Sequence, residues 1–332
     1  MTDYQLQIPR TEVILKKSED ILEQYGKSLF GKTILVTGVS NESIAGELAL
    51  RLATADPKLL ILTARAESRA SPIIAKIKET KPDVAVRFLN LELSDLSSIH
   101  KAIDTDLADI TKIDHVVFTA GVMACPYSIT KDGFEMQFCV NYLANFLLTK
   151  LLLPKIQSAG PSSSIIVVAS SAVRQGIINF DDIGYSNGST YDSFTAYCQS
   201  NVARVMFAKS LGEKLKDQGI RVYSIDPGSV TTGLQQHMDE DLQKKVASMF
   251  KDGFITDVDG RPWQPQQRST RSEGASTMIT GMIDPTISGH NGAYLKQNAL
   301  ADDELHRHVL KEENWTRLWE LSEELIQESF SV

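Results

Sequence analysis

The sequence is poor in cysteine and has no excess of positive charge. Its 332 residues include three cysteines, an odd number without the spacing of metal ligands: Cys125, Cys139 and Cys198. This usage indicates a reducing compartment rather than a disulfide-stabilised fold. Asp and Glu total 42 against 34 Lys and Arg, a formal net charge of −8. Nucleic acid and anionic membranes are therefore not expected as partners, because either would require a basic face.

A secretory signal, a long apolar run and a metal-binding motif are also missing from the sequence. The N-terminal MTDYQLQIPR lacks the charged-then-apolar order of a signal, and runs such as NFLLTKLLL are too short and interrupted to span a bilayer. His100, His115 and His237 fall in unrelated segments, none near another metal ligand. We therefore expect a cytoplasmic protein with no membrane span and no bound metal.

Short apolar runs alternate with longer amphipathic segments from Thr33 onward. The runs are TILVT, LLILTA, VAVRFL, HVVFTA, SIIVVA and RVYSI. Such alternation is typical of a parallel sheet covered by helices on both faces. Right-handed crossovers then predict an α/β fold with a doubly wound, Rossmann-type sheet.

The length and the 42% hydrophobic content predict one domain with appendages. We expect an N-terminal arm over 1–30, the sheet domain over 31–300 with a substrate-loop region at 231–290, and C-terminal helices over 301–332. Within the loop region, QQHMDEDLQKKVASMF has a helical pattern and DGFITDVDGRPWQPQQ is rich in turns. The tail is acidic, with an apolar face formed by Trp315, Leu318 and Trp319.

The turn after the first apolar run is a candidate phosphate site. It reads TGVSNESIAG, 37–46, and opens a predicted helix, whose backbone N–H groups and dipole favour a pyrophosphate. Its glycines are Gly38 and Gly46, fewer than such turns usually carry. The side chains that could add donors to a phosphate are Ser40, Asn41 and Ser43. Capping of the helix by Asn41 or Ser43 is an equal alternative.

Arg65 stands at the end of the second run, where no Asp or Glu follows immediately. An acidic residue there would accept a hydrogen bond from a ribose 2′-hydroxyl, whereas a guanidinium suits a 2′-phosphate. Arg65 therefore favours NADP(H) over NAD(H). The alternative is a solvated surface arginine.

A long predicted helix from Ala196 to Leu215 carries the candidate proton donor. Its apolar residues recur at the spacing of a helix face that packs on a sheet. Tyr197 and Asn201 are four residues apart, so their side chains lie on one face.

Together these segments resemble the short-chain dehydrogenases/reductases, in the branch with retinol-dehydrogenase-like and protochlorophyllide-reductase-like members. The stretches that occur in the family's order and spacing are Thr37-Gly38, HVVFTAGVM, DGFEMQFCVNYLANFLLTKLLLP, SIIVVASSAV, INFDDI, AYCQSN and DPGSVTT. The resemblance extends over about 31–233, and the closing NWTRLWELSEEL is also similar.

The resemblance implies catalytic roles for four residues. Tyr197 matches the proton donor and acceptor, and Ser171 matches the serine that hydrogen-bonds the substrate carbonyl, with Ser170 as the alternative. Asn141 matches the asparagine that kinks its helix and orders a water near the site. Asn201 stands where the family has a lysine.

The resemblance also implies a cofactor site. The residues of the phosphate turn are Gly38, Ser40, Asn41, Ser43 and Ile44. Those on the adenosine side are Arg65, Glu92, Leu93, Ala120 and Gly121, and those beside the nicotinamide are Tyr197, Pro227, Gly228, Val230 and Thr232.

Several positions depart from the family pattern. Glu42 and Ala45 stand where the turn would have its later glycines, and Phe118 and Thr119 replace the usual asparagines. The lysine missing at Asn201 would lower the tyrosine's pKa from about 10 and hold the nicotinamide ribose. Asparagine can hydrogen-bond the ribose but cannot supply the charge.

These observations predict an NADPH-dependent reductase of a ketone or aldehyde on a small organic molecule. A tyrosine of ordinary pKa is still protonated at neutral pH, so reduction should persist, slowed about 10²-fold or more. The alternatives are a non-redox cyclase, isomerase or dehydratase, and an NADP(H)-binding protein without turnover. A monomer and a homodimer both remain open, because related folds pair through the helices bearing Asn141 and Tyr197.

Overall fold

The computed structural model describes residues 14–265 and 268–332. Each of the six apolar runs forms a strand, and short strands follow them toward the C-terminus. The strands are β1 (Thr33–Val36), β2 (Leu59–Ala64), β3 (Ala85–Asn90), β4 (His115–Phe118), β5 (Ser164–Val168), β6 (Arg221–Asp226), β7 (Ser229–Val230), β8 (Ile255–Thr256), β9 (Pro262–Trp263), β10 (Arg268–Ser269), β11 (Tyr294–Lys296) and β12 (Ala299–Leu300).

The helices of the described residues stand between and after these strands. They are α1 (Ser18–Tyr25), α2 (Ile44–Ala53), α3 (Glu67–Thr80), α4 (Leu96–Lys101), α5 (Met136–Phe138), α6 (Ala144–Gln157), α7 (Ser193–Leu215), α8 (Glu240–Ser248), α9 (Arg271–Ile283), α10 (Arg307–Leu310) and α11 (Glu312–Ile326).

Eight of the described strands form one sheet in the order β12-β11-β6-β5-β4-β1-β2-β3. Neighbours are parallel, except that β12 is antiparallel to β11. The chain moves outward from β1 to β3 and then returns to add β4 on the other side of β1. This reversal confirms the predicted doubly wound sheet, and it opens a crevice at the carboxyl ends of β1 and β4.

Two apolar layers cover the faces of the sheet. Successive strand residues point to opposite faces, so Leu35 packs in one layer while Ile34 and Val36 pack in the other. Helices α6, α7 and α11 contribute to the layer of Leu35, and helices α2, α3 and α9 contribute to the opposite layer.

The substrate-loop region differs in part from its predicted pattern. The stretch predicted as one helix divides into a short 3₁₀ turn, Gly233–His237, and helix α8. Asp239 separates them, because its side chain accepts the Leu242 N–H at 2.8 Å and begins a new helix. The predicted loop holds the hairpin of β8 and β9, and Gln266 and Gln267 lie outside the described residues.

The arm and the tail both pack on the sheet domain. Residues 1–13 of the predicted arm lie outside the described residues. From α1, the Ser18 hydroxyl donates to the Ser272 carbonyl at 2.7 Å. From the tail, Trp319 is buried and stacks on Phe330 at 4.8 Å between ring centroids.

One helical stretch, Met136–Gln157, is long and apolar enough to cross a membrane, with a mean hydropathy of 1.2. It spans α5, the π-helical turn Cys139–Leu143 and α6, and 83% of its apolar window is buried inside the fold. Burial in the protein core accounts for this apolar composition.

Candidate active site

Helix α7 presents three polar side chains to the crevice from one face. Tyr197, Asn201 and Arg204 stand at positions i, i+4 and i+7, so they lie one above the other along the helix. Their exposed fractions are 6%, 0% and 4%. Asp192 caps the helix by accepting the Thr195 N–H at 2.8 Å, which fixes where the first turn begins.

The serine hydroxyl beside Tyr197 is that of Ser170. The Ser170 side chain lies close enough to lower the pKa of the phenol, but among the described residues no hydrogen bond joins the phenol to either Ser170 or Ser171. Ser170 is extended (φ −159°, ψ 157°) and caps the 3₁₀ turn Ser171–Gln175, its hydroxyl accepting the Ala172 N–H at 3.2 Å. The role assigned to Ser171, with Ser170 as the alternative, therefore stays a prediction.

Burial raises the pKa of Tyr197 above its ordinary value. The positive charge of Arg204 and the neighbouring polar side chains of Ser170 and Asn201 lower that pKa, but burial outweighs them. The phenol is therefore protonated at neutral pH and can donate a proton to an oxyanion.

The two polar atoms of the Asn201 side-chain amide differ in their hydrogen bonding. Its Nδ2 donates to the Tyr197 carbonyl at 2.8 Å, whereas its buried Oδ1 has no hydrogen-bond partner among the described residues. A buried acceptor without a partner costs about 1–3 kcal/mol. The arrangement thus fits a ligand that carries a hydroxyl donor.

Asn141 lies in the π-helical turn Cys139–Leu143 between α5 and α6. Its side chain accepts the Val122 N–H at 2.8 Å and donates to the Ser200 hydroxyl at 2.9 Å. The π turn rotates Asn141 relative to a regular helix, and the side chain ties the loop after β4 to α7. Its main-chain carbonyl accepts a hydrogen bond from Arg204 Nε at 2.5 Å.

Gly38 and Gly121 let three loops approach one another at the crevice. Gly38 has φ +73°, and a Cβ there would lie 2.7 Å from Ala120 Cα. A Cβ at Gly121 would lie 3.0 Å from both the Arg204 guanidinium and the Asn141 side chain. Gly38 is therefore required by its backbone conformation and by packing, whereas a side chain at Gly121 would press on Arg204 and Asn141.

Ser43, rather than Asn41, caps helix α2. Its hydroxyl accepts the Gly46 N–H at 2.9 Å and donates to the Ser40 carbonyl at 2.8 Å, while Asn41 is exposed. Glu42 takes the left-handed backbone conformation (φ +59°) that a glycine would adopt without strain. The turn is thus closed by Ser43, and Ile44 begins the helix.

On the adenosine side, the side chains of Arg65 and Glu92 differ in their exposure and in their hydrogen bonding. Arg65 is exposed directly after β2, and its guanidinium makes no hydrogen bond within the described part of the chain. The Glu92 carboxylate accepts from the Ser94 hydroxyl at 2.8 Å, next to the buried Leu93. The Arg65 guanidinium is therefore available to bind an anion, whereas the Glu92 carboxylate is already hydrogen-bonded within its own loop.

The loop after β6 lies beside the start of α2. Asp226 accepts the Gly228 N–H at 2.9 Å, and Thr232 caps the 3₁₀ turn Gly233–His237. A Cβ at Gly274 of α9 would lie 2.7 Å from Val230, 3.4 Å from the Pro227 carbonyl and 3.6 Å from Ile44. The residues predicted for the nicotinamide and phosphate ends thus converge on one side of the crevice.

The family model described as short chain dehydrogenase matches residues 32–243 of this sequence. This stretch is more than half of the chain and contains the crevice residues of the sheet domain. The chain belongs to the short-chain dehydrogenase family. Its members are oxidoreductases that act on alcohol and carbonyl groups.

Curated relatives of this short-chain dehydrogenase include retinol dehydrogenases. Retinol dehydrogenase 13 of Mus musculus is 39% identical over 207 residues, 62% of this chain and 61% of the relative. Retinol dehydrogenase 14 of Homo sapiens is 30% identical over 311 residues, 90% of this chain and 87% of the relative. The chain is thus similar to the retinol-dehydrogenase branch, as its motifs predict.

Solved structures share the fold of this short-chain dehydrogenase. A protein from Mycobacterium paratuberculosis has a TM-score of 0.66 at 23% identity, covering 92% of this chain and 96% of its own. A short chain dehydrogenase from Burkholderia cenocepacia, in complex with NADP, has a TM-score of 0.60 at 20% identity, covering 82% of this chain and 99% of its own.

Arg204 is the site residue that the sequence reasoning on this dehydrogenase missed. A seven-residue separation from Tyr197 on the same helix face was the available signal, since positions i and i+7 share a face. Its burial and its two main-chain acceptors depend on the loop after β4 and on the π turn. Among the described residues, no group of three His, Cys, Asp or Glu side chains is arranged to hold a metal.

Proposed function

We propose that this short-chain dehydrogenase reduces a ketone or aldehyde on a small organic molecule with NADPH. The observation that carries the proposal is the buried, protonated Tyr197 with the Ser170 hydroxyl beside it, at the carboxyl edge of the sheet. Two hydroxyls that meet in this way can both donate to one carbonyl oxygen.

The residues at the crevice fit a nicotinamide dinucleotide. The first turn of α2 offers unpaired N–H groups to a pyrophosphate, and the buried Asn201 Oδ1 has the right chemistry for a ribose hydroxyl. The exposed Arg65 guanidinium supports a 2′-phosphate, hence NADP(H). When bound, this cofactor supplies the hydride.

The chain's own residues then handle the proton. Ser170 would hold the carbonyl oxygen of the substrate by a hydrogen bond. Tyr197 would transfer its phenolic proton to that oxygen as negative charge develops, which completes the alcohol. Because burial keeps the phenol protonated at neutral pH, reduction is the favoured direction.

The test is consumption of NADPH by the purified protein with a panel of apolar ketones and aldehydes. Retinal belongs in the panel because the curated relatives bear the name retinol dehydrogenase. We expect Tyr197→Phe to lower kcat/KM by about 10² or more, and Ser170→Ala by about 10-fold to 10². Ser171→Ala, the matched control, should stay within a few-fold of the wild type.

A larger loss in Ser171→Ala than in Ser170→Ala would reverse the serine assignment. Product formation with unchanged NADPH would contradict the reductase and support the non-redox alternative. Neither that alternative nor cofactor binding without turnover has an observation in its favour. We also propose a cytoplasmic location, which cell fractionation checks; recovery of the protein in the membrane pellet would contradict it.

A further inference from the structure

Arg204 is a buried cation held by neutral acceptors. The residue is 4% exposed. Its Nε donates a hydrogen bond to the Asn141 carbonyl and its Nη2 donates one to the Ala120 carbonyl, both at 2.5 Å. Within the described part of the chain no carboxylate forms an ion pair with it. A buried charge without a counter-ion is costly, so its retention here requires a reason beyond packing.

The guanidinium stays charged and acts on Tyr197. Burial lowers the pKa of Arg204 to about 10, which leaves it protonated at neutral pH. The charge of Tyr197 raises the pKa of Arg204. In turn, Arg204 has the largest lowering effect on the pKa of Tyr197.

Neighbouring elements add little charge to this pair. On α7 itself, the Cys198 thiol weakly raises the pKa of Tyr197. On the 3₁₀ turn after β5, Arg174 forms ion pairs with Glu304 at 3.0 Å and with Asp257 at 3.6 Å. Next to α5, the Glu135 carboxylate accepts the Gln137 N–H at 2.9 Å.

We propose that Arg204 supplies to Tyr197 the positive charge that Asn201 lacks. Arg204 stands about two helical turns after Tyr197 on the same face of α7, and its guanidinium is held in place by the Asn141 and Ala120 carbonyls. Arg204 is a positioning residue that acts through the phenol, and Asn201 keeps its free amide oxygen for a ligand hydroxyl. The inference rests on the proposed function for the role of Tyr197, but its central measurement requires no turnover.

Direct titration of Tyr197 tests the proposal. Tyr197 is replaced by 3,5-difluorotyrosine, whose phenol ionises at lower pH than tyrosine, and the pKa of that single residue is read by ¹⁹F NMR. Arg204→Gln keeps a donor for the carbonyls but removes the charge. We expect it to raise the phenol pKa by about one to two units, the size of a single nearby charge in a partly shielded interior.

Two variants complete the design. Arg204→Lys keeps the charge and should leave the phenol pKa within a few tenths of a unit of the parent. Asn201→Lys/Arg204→Gln returns a cation to the same face of α7 and should bring the phenol pKa to the parent value or below. In an active enzyme, the pH at which alcohol oxidation is half-maximal should follow the same order.

An unchanged phenol pKa in folded Arg204→Gln, or equal shifts in Arg204→Gln and Arg204→Lys, would overturn the proposal. Should Arg204→Gln fail to fold, the double variant decides. A phenol pKa higher in the double variant than in Asn201→Lys alone supports the proposal, and equal pKa values in these two proteins contradict it. A protein that titrates as expected but turns over no carbonyl would instead refute the proposed function alone.

Discussion

Tyr197, Asn201 and Arg204 stand on one face of α7, and each has a different electrostatic state. The phenol is neutral, the amide is half satisfied, and the guanidinium is charged and bonded to carbonyls. A lysine introduced at Asn201 would therefore meet a second buried cation. Because like charges in a buried site repel, that lysine and Arg204 should each lower the pKa of the other.

Arg65 provides a prediction at the residue scale. Arg65→Ala should weaken NADP(H) binding by about 10-fold to 10², the value of a charge-assisted contact, and leave NAD(H) binding almost unchanged. Thermal shift with each dinucleotide measures the change, because binding to the native state raises the melting temperature. Arg69→Ala, exposed on α3, is the control. Equal losses for the two dinucleotides would contradict the phosphate role.

At the scale of elements, the turn from β1 to α2 and the strand β4 hold the crevice in shape. Gly46 lies where the helix meets its own turn, since a Cβ there would be 2.4 Å from the Ser40 carbonyl oxygen. His115 of β4 is buried, and its Nδ1 lies 2.9 Å from the Ser164 hydroxyl of β5. Each contact predicts a measurable change in stability.

Gly46→Ala should destabilise the protein by about 1–3 kcal/mol. Alanine usually improves a helix by about 1 kcal/mol over glycine, but here the added methyl would meet a backbone oxygen that cannot move aside cheaply. Gly184→Ala, where a Cβ would have no atom within 4 Å, is the matched control. Urea unfolding measures both, and a stabilised Gly46→Ala protein would disprove the contact.

His115 predicts how stability depends on pH. Burial, and next the charge of Arg221, lower the pKa of His115 to about 3. The unfolded histidine ionises near 6.5, so the stabilising contribution is complete above that pH and is lost as the pH falls toward 3. The slope for one proton is about 1.4 kcal/mol per pH unit. His115→Asn should remove that slope from urea unfolding between pH 6.5 and 4, unlike His237→Asn at an exposed site.

At the scale of the whole molecule, the C-terminal tail covers the outer face of α6 and α7. The Trp319 ring lies 5.0 Å from that of Phe146 and 6.1 Å from that of Phe207, between centroids. The Tyr142 hydroxyl is 2.5 Å from that of Ser322 in α11. A homodimer through these helices would require α11 to move away, and we therefore predict the monomer of the two open states.

Trp319→Ala should therefore both destabilise the protein, by about 3–5 kcal/mol, and expose an apolar face. We expect the wild type to be a monomer and the variant to self-associate in light scattering with size exclusion. Leu310→Ala, at a half-exposed site in α10, is the control. A wild-type dimer that buries α6 and α7 against a second copy would contradict this view of the tail.

The sequence alone determined the alternation of strands and helices, the doubly wound sheet, the helix bearing Tyr197 and the amide at Asn201. These features are written in local periodicity and in motifs of fixed spacing, which need no knowledge of distant contacts. It gave no sign of β11, because three residues carry too little pattern to distinguish a strand.

Only the tertiary structure decided whether Ser43 or Asn41 caps α2, how Ser170 is oriented, and which groups hold Arg204. The direction of Ser170 depends on how β5 passes into its 3₁₀ turn. The burial of Arg204 depends on a loop more than 80 residues away, whose Ala120 carbonyl accepts its hydrogen bond. Such properties depend on contacts at the crevice between segments that are far apart in the sequence, and a local sequence pattern does not predict those contacts.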